Sequence, residues 1–375
     1  MKIEMVDLKG QYNKIKNEID QAVIDCISST AFINGPAVKE FQSNLEIYLG
    51  VKHVIPCANG TDSLQIAMMA LDLKPGDEVI CPAFTYVATA EVIGLLGLTP
   101  VMVDVNPNTF NIEAEVIEKA ITAKTKAIVP VHLYGQSCDM EPIMLLAKKY
   151  HLYVIEDNAQ AIGAYYTFSD GIKAKTGSIG HIGSTSFFPS KNLGCYGDGG
   201  ALMTNDDNLA QKMRMIANHG QEKKYYHKVL GCNSRLDTIQ AAILNIKLNF
   251  LDKYSTARNK MASYYDEAFY SIEELEVPAR QHNSTHVFHQ YTMKVKNGKR
   301  NDLQQYLSEL RIPSMIYYPL PLYKQGAFQQ FVSADFSLPT TEQLCDEVLS
   351  LPIHTEMNVE DMDSICTCIL SFFKN

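Results

Sequence analysis

The chain has 375 residues, 46% hydrophobic and 20% charged, which is ordinary globular usage with enough apolar material for about two domains. It carries 33 basic against 42 acidic residues, a formal net charge of −9, and no run approaches the roughly 18 apolar residues of a membrane helix. Disorder, fibrous repeats and a general nucleic-acid or anionic-membrane binder are excluded, because phosphate contacts need a basic surface. A local basic pocket for a small anion is not.

The N-terminal MKIEMVDLKGQYNKIKNEI is charged throughout, unlike a signal peptide. Strand-like runs begin at His53 (HVIPCA), Asp77 (DEVICPA), Thr99 (TPVMVDV), Lys126 (KAIVPVHL) and Tyr153 (YVIEDNA). Helical spacing fills the gaps, with Leu64, Ala67, Met68 and Leu71 on one face of TDSLQIAMMALDL, and EPIMLLAKKY ending in the cations that a helix C-terminus favours. Such alternation, with near-continuous apolar strands, predicts an α/β fold with a mostly parallel sheet covered on both faces. GSTSFF from Gly183 and GGALMTN from Gly199 read as antiparallel additions to it.

From Asp237 one long helical pattern runs to AF at 269 without strong breakers, and smaller pieces follow: VFHQYTMKV, RNDLQQYLSEL and MDSICTCILSFF. A large domain over 1–250 and a small C-terminal α+β domain over 251–375 are expected. Nine cysteines, odd in number and without a Cys-x-x-Cys pair, argue against a disulfide framework or zinc site and for a reducing cytoplasm. Cys366 and Cys368, two apart, should point to different faces of the last helix.

Ligands of open α/β sheets sit beyond the carboxyl ends of the strands, so the segments after the strands should converge on one crevice. Asn59-Gly60-Thr61-Asp62-Ser63 opens a helix directly after a strand and presents free amides to an anion. The bland alternative is an ordinary cap supplied by Thr61 or Asp62. Asp157 ends the apolar run VIED; a carboxylate there needs an arginine, a metal or a protonated cofactor ring opposite it, metal being the weakest of the three. Lys191 lies in the apolar, aromatic stretch Thr185–Gly194, where burial would lower its pKa and make it a nucleophilic amine; the alternative is a lysine that snorkels to the surface. The following Gly194-Cys195-Tyr196-Gly197-Asp198-Gly199-Gly200 is no dinucleotide fingerprint, because Leu202 stands where the third glycine should be.

A phosphate turn, an aromatic, a buried carboxylate and a buried lysine, in that order on a parallel sheet, make a pyridoxal-phosphate site. From Asp7-Leu8-Lys9 and Asn34-Gly35-Pro36 through Phe187–Gly194 and Gly197–Gly200 to Ser350-Leu351-Pro352, the chain resembles the DegT/DnrJ-type nucleotide-sugar aminotransferases. These have the aspartate-aminotransferase-like fold (fold type I). The segments Cys57–Asp62, Leu133–Gln136, Asn218–Gln221 and Asn233–Asp237 are similar to those of enzymes acting on UDP-2-acetamido-2-deoxy-3-oxo sugars, especially the glucuronate.

The resemblance implies that Lys191 forms the Schiff base and shuttles the proton, while Asp157 pairs with the pyridine nitrogen. It places Gln160 at the ring's phenolic oxygen and Tyr86 against the ring face. Gly60, Thr61, Asp62 and Ser186 would cradle the phosphate, and Asn233 would reach it from a second subunit, making a homodimer with shared active sites. L-glutamate is the implied donor, pyridoxamine phosphate the intermediate form, and surface-polysaccharide (lipopolysaccharide) synthesis the implied use. Arg235 is a possible partner for a substrate carboxylate or pyrophosphate. Related sequences usually have His-Tyr-Pro where this chain has Tyr317-Tyr318-Pro319, near the sugar. A phenol in place of that imidazole weakens electrostatic recognition of a sugar carboxylate and leaves the neutral hexose open. The alternatives are a 4-keto or dTDP-sugar aminotransferase, a pyridoxamine-dependent dehydratase (which would carry histidine at the Lys191 position), a non-catalytic nucleotide-sugar-binding regulator and a Rossmann oxidoreductase.

Overall fold

A computed structural model describes residues 3–374. Its central sheet has seven strands, in the spatial order His53–Cys57, Gly200–Thr204, Ile182–Ser186, Tyr153–Asp157, Thr125–Ile128, Glu78–Pro82 and Thr99–Val103. All five strands expected from the apolar runs are present. One expectation is corrected: of the two proposed antiparallel additions, Ile182–Ser186 runs parallel to Tyr153–Asp157, and only Gly200–Thr204 is antiparallel to its neighbours. The turn between them reverses the chain, whereas Ile182–Ser186 is reached by a long crossover, as parallel pairing demands.

The side-chain alternation of the strands separates two cores. Ile55, Val79, Cys81, Ala127, Ile155 and Leu202 pack one way, against the helices Gly60–Ala70, Ala88–Leu95 and Asp207–Ala217. Ile80, Val103, Ile128 and Val154 face the other way, onto Ala114–Ala120 and Met140–Tyr150. At the far edge Val54, Ala201 and Met203 meet Pro36–Leu49 and Thr238–Leu248.

The long helical pattern from Asp237 is two helices, Thr238–Leu248 and Leu251–Phe269, a second correction. Asn249 and Phe250 make tight turns back to Ile246 and Lys247 instead of continuing the α-helical ladder. Phe250 then stacks on Tyr254, at 6.0 Å between ring centroids. No glycine or proline marks this break.

A three-stranded antiparallel sheet follows, ordered Leu275–Glu276, Tyr291–Val295, Val348–Leu351. It packs on Leu251–Phe269, Arg300–Glu309 and Val359–Lys374 through Tyr265, Phe269, Leu303, Leu307, Ile365 and Ile369. Cys366 points inward and is buried while Cys368 is partly exposed, as their spacing predicted. The segment between the last two strands returns to the large sheet: Leu322, Tyr323 and Phe328 join its first core, and the Leu322 amide donates to the Ala83 carbonyl at 3.1 Å. Tyr317 and Tyr318 are thereby carried to the carboxyl ends of the central strands. Among the described residues no helix is long and apolar enough to cross a membrane.

Candidate active site

The loops at the carboxyl ends of the parallel strands do converge. Helix Gly60–Ala70 begins at the end of the first strand and is capped by Asn59, whose side chain accepts from the Asp62 amide at 2.8 Å. Thr61 and Asp62, the two capping residues the sequence offered, lie inside the helix instead. With Asp62 and Ser63 satisfied by Asn59, the amides of Gly60 and Thr61 have no acceptor among the described residues. They sit at the positive end of the helix dipole, an arrangement suited to an anion.

Ser186 closes this turn from the neighbouring strand. A Cβ built on Gly60 would lie 2.7 Å from the Ser186 Cβ and 3.3 Å from its Oγ, so only glycine leaves room there. The two elements are pinned beneath by a hydrogen bond between the buried Ser63 and Ser184 hydroxyls. On the other side Gly200 lies so close to Asn59 that a Cβ would meet its backbone at 2.4 Å. The tight glycine turn after Lys191 therefore also shapes the anion cradle.

Asp157 is buried, and its carboxylate is aimed by two donors: Thr89 Oγ1 at 2.8 Å and the Ala159 amide at 3.2 Å. Its carbonyl accepts from the His132 amide. Among the described residues no arginine pairs with it, and the amine whose charge it acts on is that of Lys191. Lys191 is half-buried, and loss of solvent around its amine pushes the pKa down to about 8 despite the opposing pull of Asp157. A fraction of the amine is already neutral near pH 7, as a nucleophile requires.

Gln160 is fixed at both ends of its amide. Its Oε1 accepts from the Tyr134 amide at 2.7 Å, and its Nε2 donates to the Tyr318 hydroxyl at 3.2 Å. Tyr318 packs edge-on against Phe84 and lies 6.4 Å from the ring of Tyr86, whose side chain is 58% exposed at the mouth. Tyr134 donates its hydroxyl to the Tyr317 carbonyl, which ties the 317–318 segment to the same loop. Ser234 accepts from the Ala58 amide at 3.0 Å, so the segment after Cys232 borders the anion turn. Its exposed neighbour Asn233 bridges to Asn218, and Arg235 forms no hydrogen bond or ion pair with the described residues. Asn233 and Arg235 thus have side chains available to other molecules.

Several residues of this site escaped sequence reasoning. Thr89 lies 68 positions from its partner Asp157. Glu156, next to Asp157, is fully buried and accepts from His132 Nε2 and from the amides of Gly177, Ile179 and Gly180. Those donors satisfy a buried carboxylate and hold the strand end rigid. His289 was also missed; an aromatic-histidine run, HVFHQY, was its only signal.

The pyridoxal phosphate implied by the sequence fits this donor set. Open amides meet a phosphate, a rigid carboxylate meets a protonated ring nitrogen, and a desolvated amine meets an aldehyde carbon. Sheet order and site together define a fold type I transferase. The chain belongs to the DegT/DnrJ/EryC1/StrS aminotransferase family, whose model matches residues 13–370.

It is 45% identical, over the full length of both chains, to a pleiotropic regulatory protein of Geobacillus stearothermophilus. It is 44% identical to a UDP-2-acetamido-2-deoxy-3-oxo-D-glucuronate aminotransferase of Pseudomonas aeruginosa, covering 98% of this chain and 99% of that one. It is 42% identical to a UDP-N-acetyl-3-dehydro-alpha-D-glucosamine 3-aminotransferase of Acidithiobacillus ferrooxidans, covering 98% and 97%. Among solved structures, NtdA of Bacillus subtilis with bound cofactor PMP is 31% identical with a TM-score of 0.92, covering 100% of this chain and 86% of that one.

Proposed function

We propose that this protein is a pyridoxal-phosphate-dependent aminotransferase that moves an amino group from L-glutamate to carbon 3 of a UDP-linked 3-keto-N-acetylhexosamine or its uronate. The observation that carries this is the Lys191 amine, desolvated to a pKa of about 8 and facing Asp157, beside the open helix terminus at Gly60 and Thr61. The 44% and 42% identical relatives, both named for 3-keto UDP-sugars, support the choice of carbon and nucleotide.

When bound, the cofactor supplies an electron sink for the carbon being deprotonated. Lys191 would hold it through its amine and, once free, would move a proton at the donor carbon. Asp157, oriented by Thr89 and the Ala159 amide, keeps the ring nitrogen protonated. The Gly60 and Thr61 amides, with the Thr61 and Ser186 hydroxyls, would hold the phosphate, while the Asp62 amide beside them is taken by Asn59. Gln160 borders the phenolic oxygen and Tyr86 covers a ring face.

The enzyme works as a homodimer, with Asn233 of the partner subunit reaching the phosphate. Ile24, Ile27, Phe32 and Ile33 near the N-terminus, and Tyr225, Tyr226 and Leu230 in and just after the hairpin of Gln221–Lys223 and Tyr226–His227, are exposed apolar residues that such a contact would cover. Nine free thiols suit the reducing cytoplasm, where a nucleotide sugar would be aminated for surface polysaccharide, lipopolysaccharide included.

A second reading is a nucleotide-sugar-binding regulator, favoured by the name of the 45% identical relative. Turnover separates the two. Protein loaded with pyridoxal phosphate should absorb in the visible, lose that absorbance with L-glutamate, and regain it with a UDP-3-keto-N-acetylhexosamine but not with the 4-keto isomer. A band that no amino acid bleaches would favour the regulator; absence of any band would remove the cofactor assignment.

A further inference from the structure

We infer that Lys247 positions the catalytic lysine: its buried ammonium clamps the Gly194 carbonyl, three residues beyond Lys191, and so fixes the loop from which Lys191 reaches the cofactor. On the transaminase reading, on which this inference rests, the Lys191 amine must leave the cofactor and return to the same place in each half-reaction.

The loop closes on itself. The Phe187 amide donates to the Gly199 carbonyl at 2.7 Å, the Lys191 amide to the Phe188 carbonyl at 2.8 Å and the Cys195 amide to the Phe187 carbonyl at 2.8 Å. A Cβ on Gly194 would lie 2.3 Å from the Pro189 carbonyl oxygen, so the chain doubles back on itself at that residue. Such a loop holds its own shape but needs outside contacts to hold its place relative to Asp157. Side chains from two sides provide them. On one side Asn192 Nδ2 donates to the Val287 carbonyl at 3.0 Å. On the other, helix Thr238–Leu248 supplies Gln240, whose amide accepts from the Tyr196 N–H at 2.8 Å and donates to the Tyr196 carbonyl at 3.3 Å. The same helix supplies Lys247, whose Nζ donates to the Gly194 carbonyl.

Lysines are almost never fully buried unless they are paired. Lys247 is 1% exposed and forms no ion pair among the described residues. Loss of solvent pushes its pKa down to about 8 against the pull of Cys195, so near pH 7 the fold bears the cost of a buried charge. Its two partners are the Gly194 carbonyl and the face of the Tyr196 ring, 5.2 Å from the centroid. Both belong to the turn that follows Lys191. A hydrogen bond from an ammonium is roughly twice as strong as one from a neutral donor, and a cation over an aromatic face adds to the hold. A methionine would fill nearly the same space without the charge, so what the lysine adds is grip on the loop. The charge acting on the Lys191 amine is that of Asp157, and the influence of Lys247 therefore runs through the backbone between them.

The test follows the loop itself in cofactor-free protein, by hydrogen exchange of the peptide spanning 187–199 beside urea unfolding at pH 7. Lys247→Met removes the donor and keeps most of the length; Lys247→Arg keeps a donor. In the Met variant exchange of that peptide should quicken about tenfold or more, while global stability stays equal or rises because an unpaired buried charge is gone. In the loaded enzyme the turnover number should fall about tenfold or more with the KM for L-glutamate nearly unchanged, and the Arg variant should recover part of both losses. Exchange of 187–199 at the wild-type rate in the Met variant overturns the inference. So does faster exchange spread over the whole chain with lower stability, which is what a purely structural lysine would give. Should Lys247→Met fail to fold, the polar Lys247→Gln takes its place with the same expectations; failure of both to fold makes the residue structural and overturns the inference as well. Exchange is read without cofactor, whereas the visible band and its bleaching by glutamate report on the transaminase reading, so failure of that reading is separate from failure of Lys247.

Discussion

Thr89 Oγ1 donates to Asp157 Oδ2 at 2.8 Å, joining the start of one helix to the end of a strand two positions away in the sheet. The hydroxyl is buried, so the carboxylate cannot turn to water for a replacement. Hydrogen bonds to charged groups contribute about 1.5–3 kcal/mol. Thr89→Val should therefore lower the turnover number about tenfold or more through misorientation of Asp157, with cofactor still bound, while Thr89→Ser stays near wild type. Steady-state kinetics beside a cofactor titration measures both, and equal turnover in the Val variant would show that Asp157 does not depend on this donor.

The desolvated lysine has a thermodynamic signature. Its pKa is 10.5 when unfolded and about 8 when folded, so between those values the unfolded chain holds a proton that the folded one has released. Stability must then rise with pH across that window. Below pH 8 both states are charged and the folded protein bears the whole cost. Cofactor-free Lys191→Met should thus be more stable than cofactor-free wild type at pH 7, by about 1–3 kcal/mol. The difference should shrink as pH rises from 8 toward 10.5. Paired urea denaturations at pH 7 and 9.5 check it; a difference that grows with pH would contradict the assigned burial.

The cradle predicts a steric loss. Alanine at position 60 would place its Cβ 2.7 Å from the Ser186 Cβ, and both groups sit where the phosphate is proposed to bind. Gly60→Ala should weaken pyridoxal phosphate binding by about 10- to 100-fold, some 1.4–2.8 kcal/mol. Its thermal unfolding temperature without cofactor should also fall, because the added Cβ overlaps Ser186 in the bare protein. Fluorescence titration with the cofactor and with inorganic phosphate reads the effect, and wild-type affinity for both would place the phosphate elsewhere.

Much of this architecture is legible in the sequence because its signals are local. The five apolar runs are each bounded by turns, so their strands are readable without knowing the partners. Lys191 stands out as a charge in an apolar, aromatic stretch. Asp157 stands out as a carboxylate ending a buried strand. The unreadable features depend on distant contacts. Asn59 takes the cap from Thr61 and Asp62 because the helix starts at Gly60, leaving Asn59 as the extended residue before it. Thr89 gains its meaning from Asp157, 68 positions away. The break at Asn249–Phe250 carries no glycine or proline and follows from the packing of Phe250 on Tyr254.

Tyr317, next to the Tyr318 that Gln160 holds, carries the question of substrate charge. Its backbone is held by Tyr134 and its neighbour Tyr318 by Gln160, so a side chain at 317 can change without releasing the loop. Burial keeps the Tyr317 phenol above its ordinary pKa, hence neutral across the working pH range. Histidine there would become cationic below about pH 6.5 and attract a sugar carboxylate. Tyr317→His should raise kcat/KM for the 3-keto uronate relative to the neutral 3-keto hexose by about 5- to 10-fold at pH 6. At pH 8, where an imidazole is neutral, the gain should vanish. Competition between the two UDP-sugars at both pH values measures it. A preference unmoved at either pH would mean that the residue does not face the sugar's carbon 6.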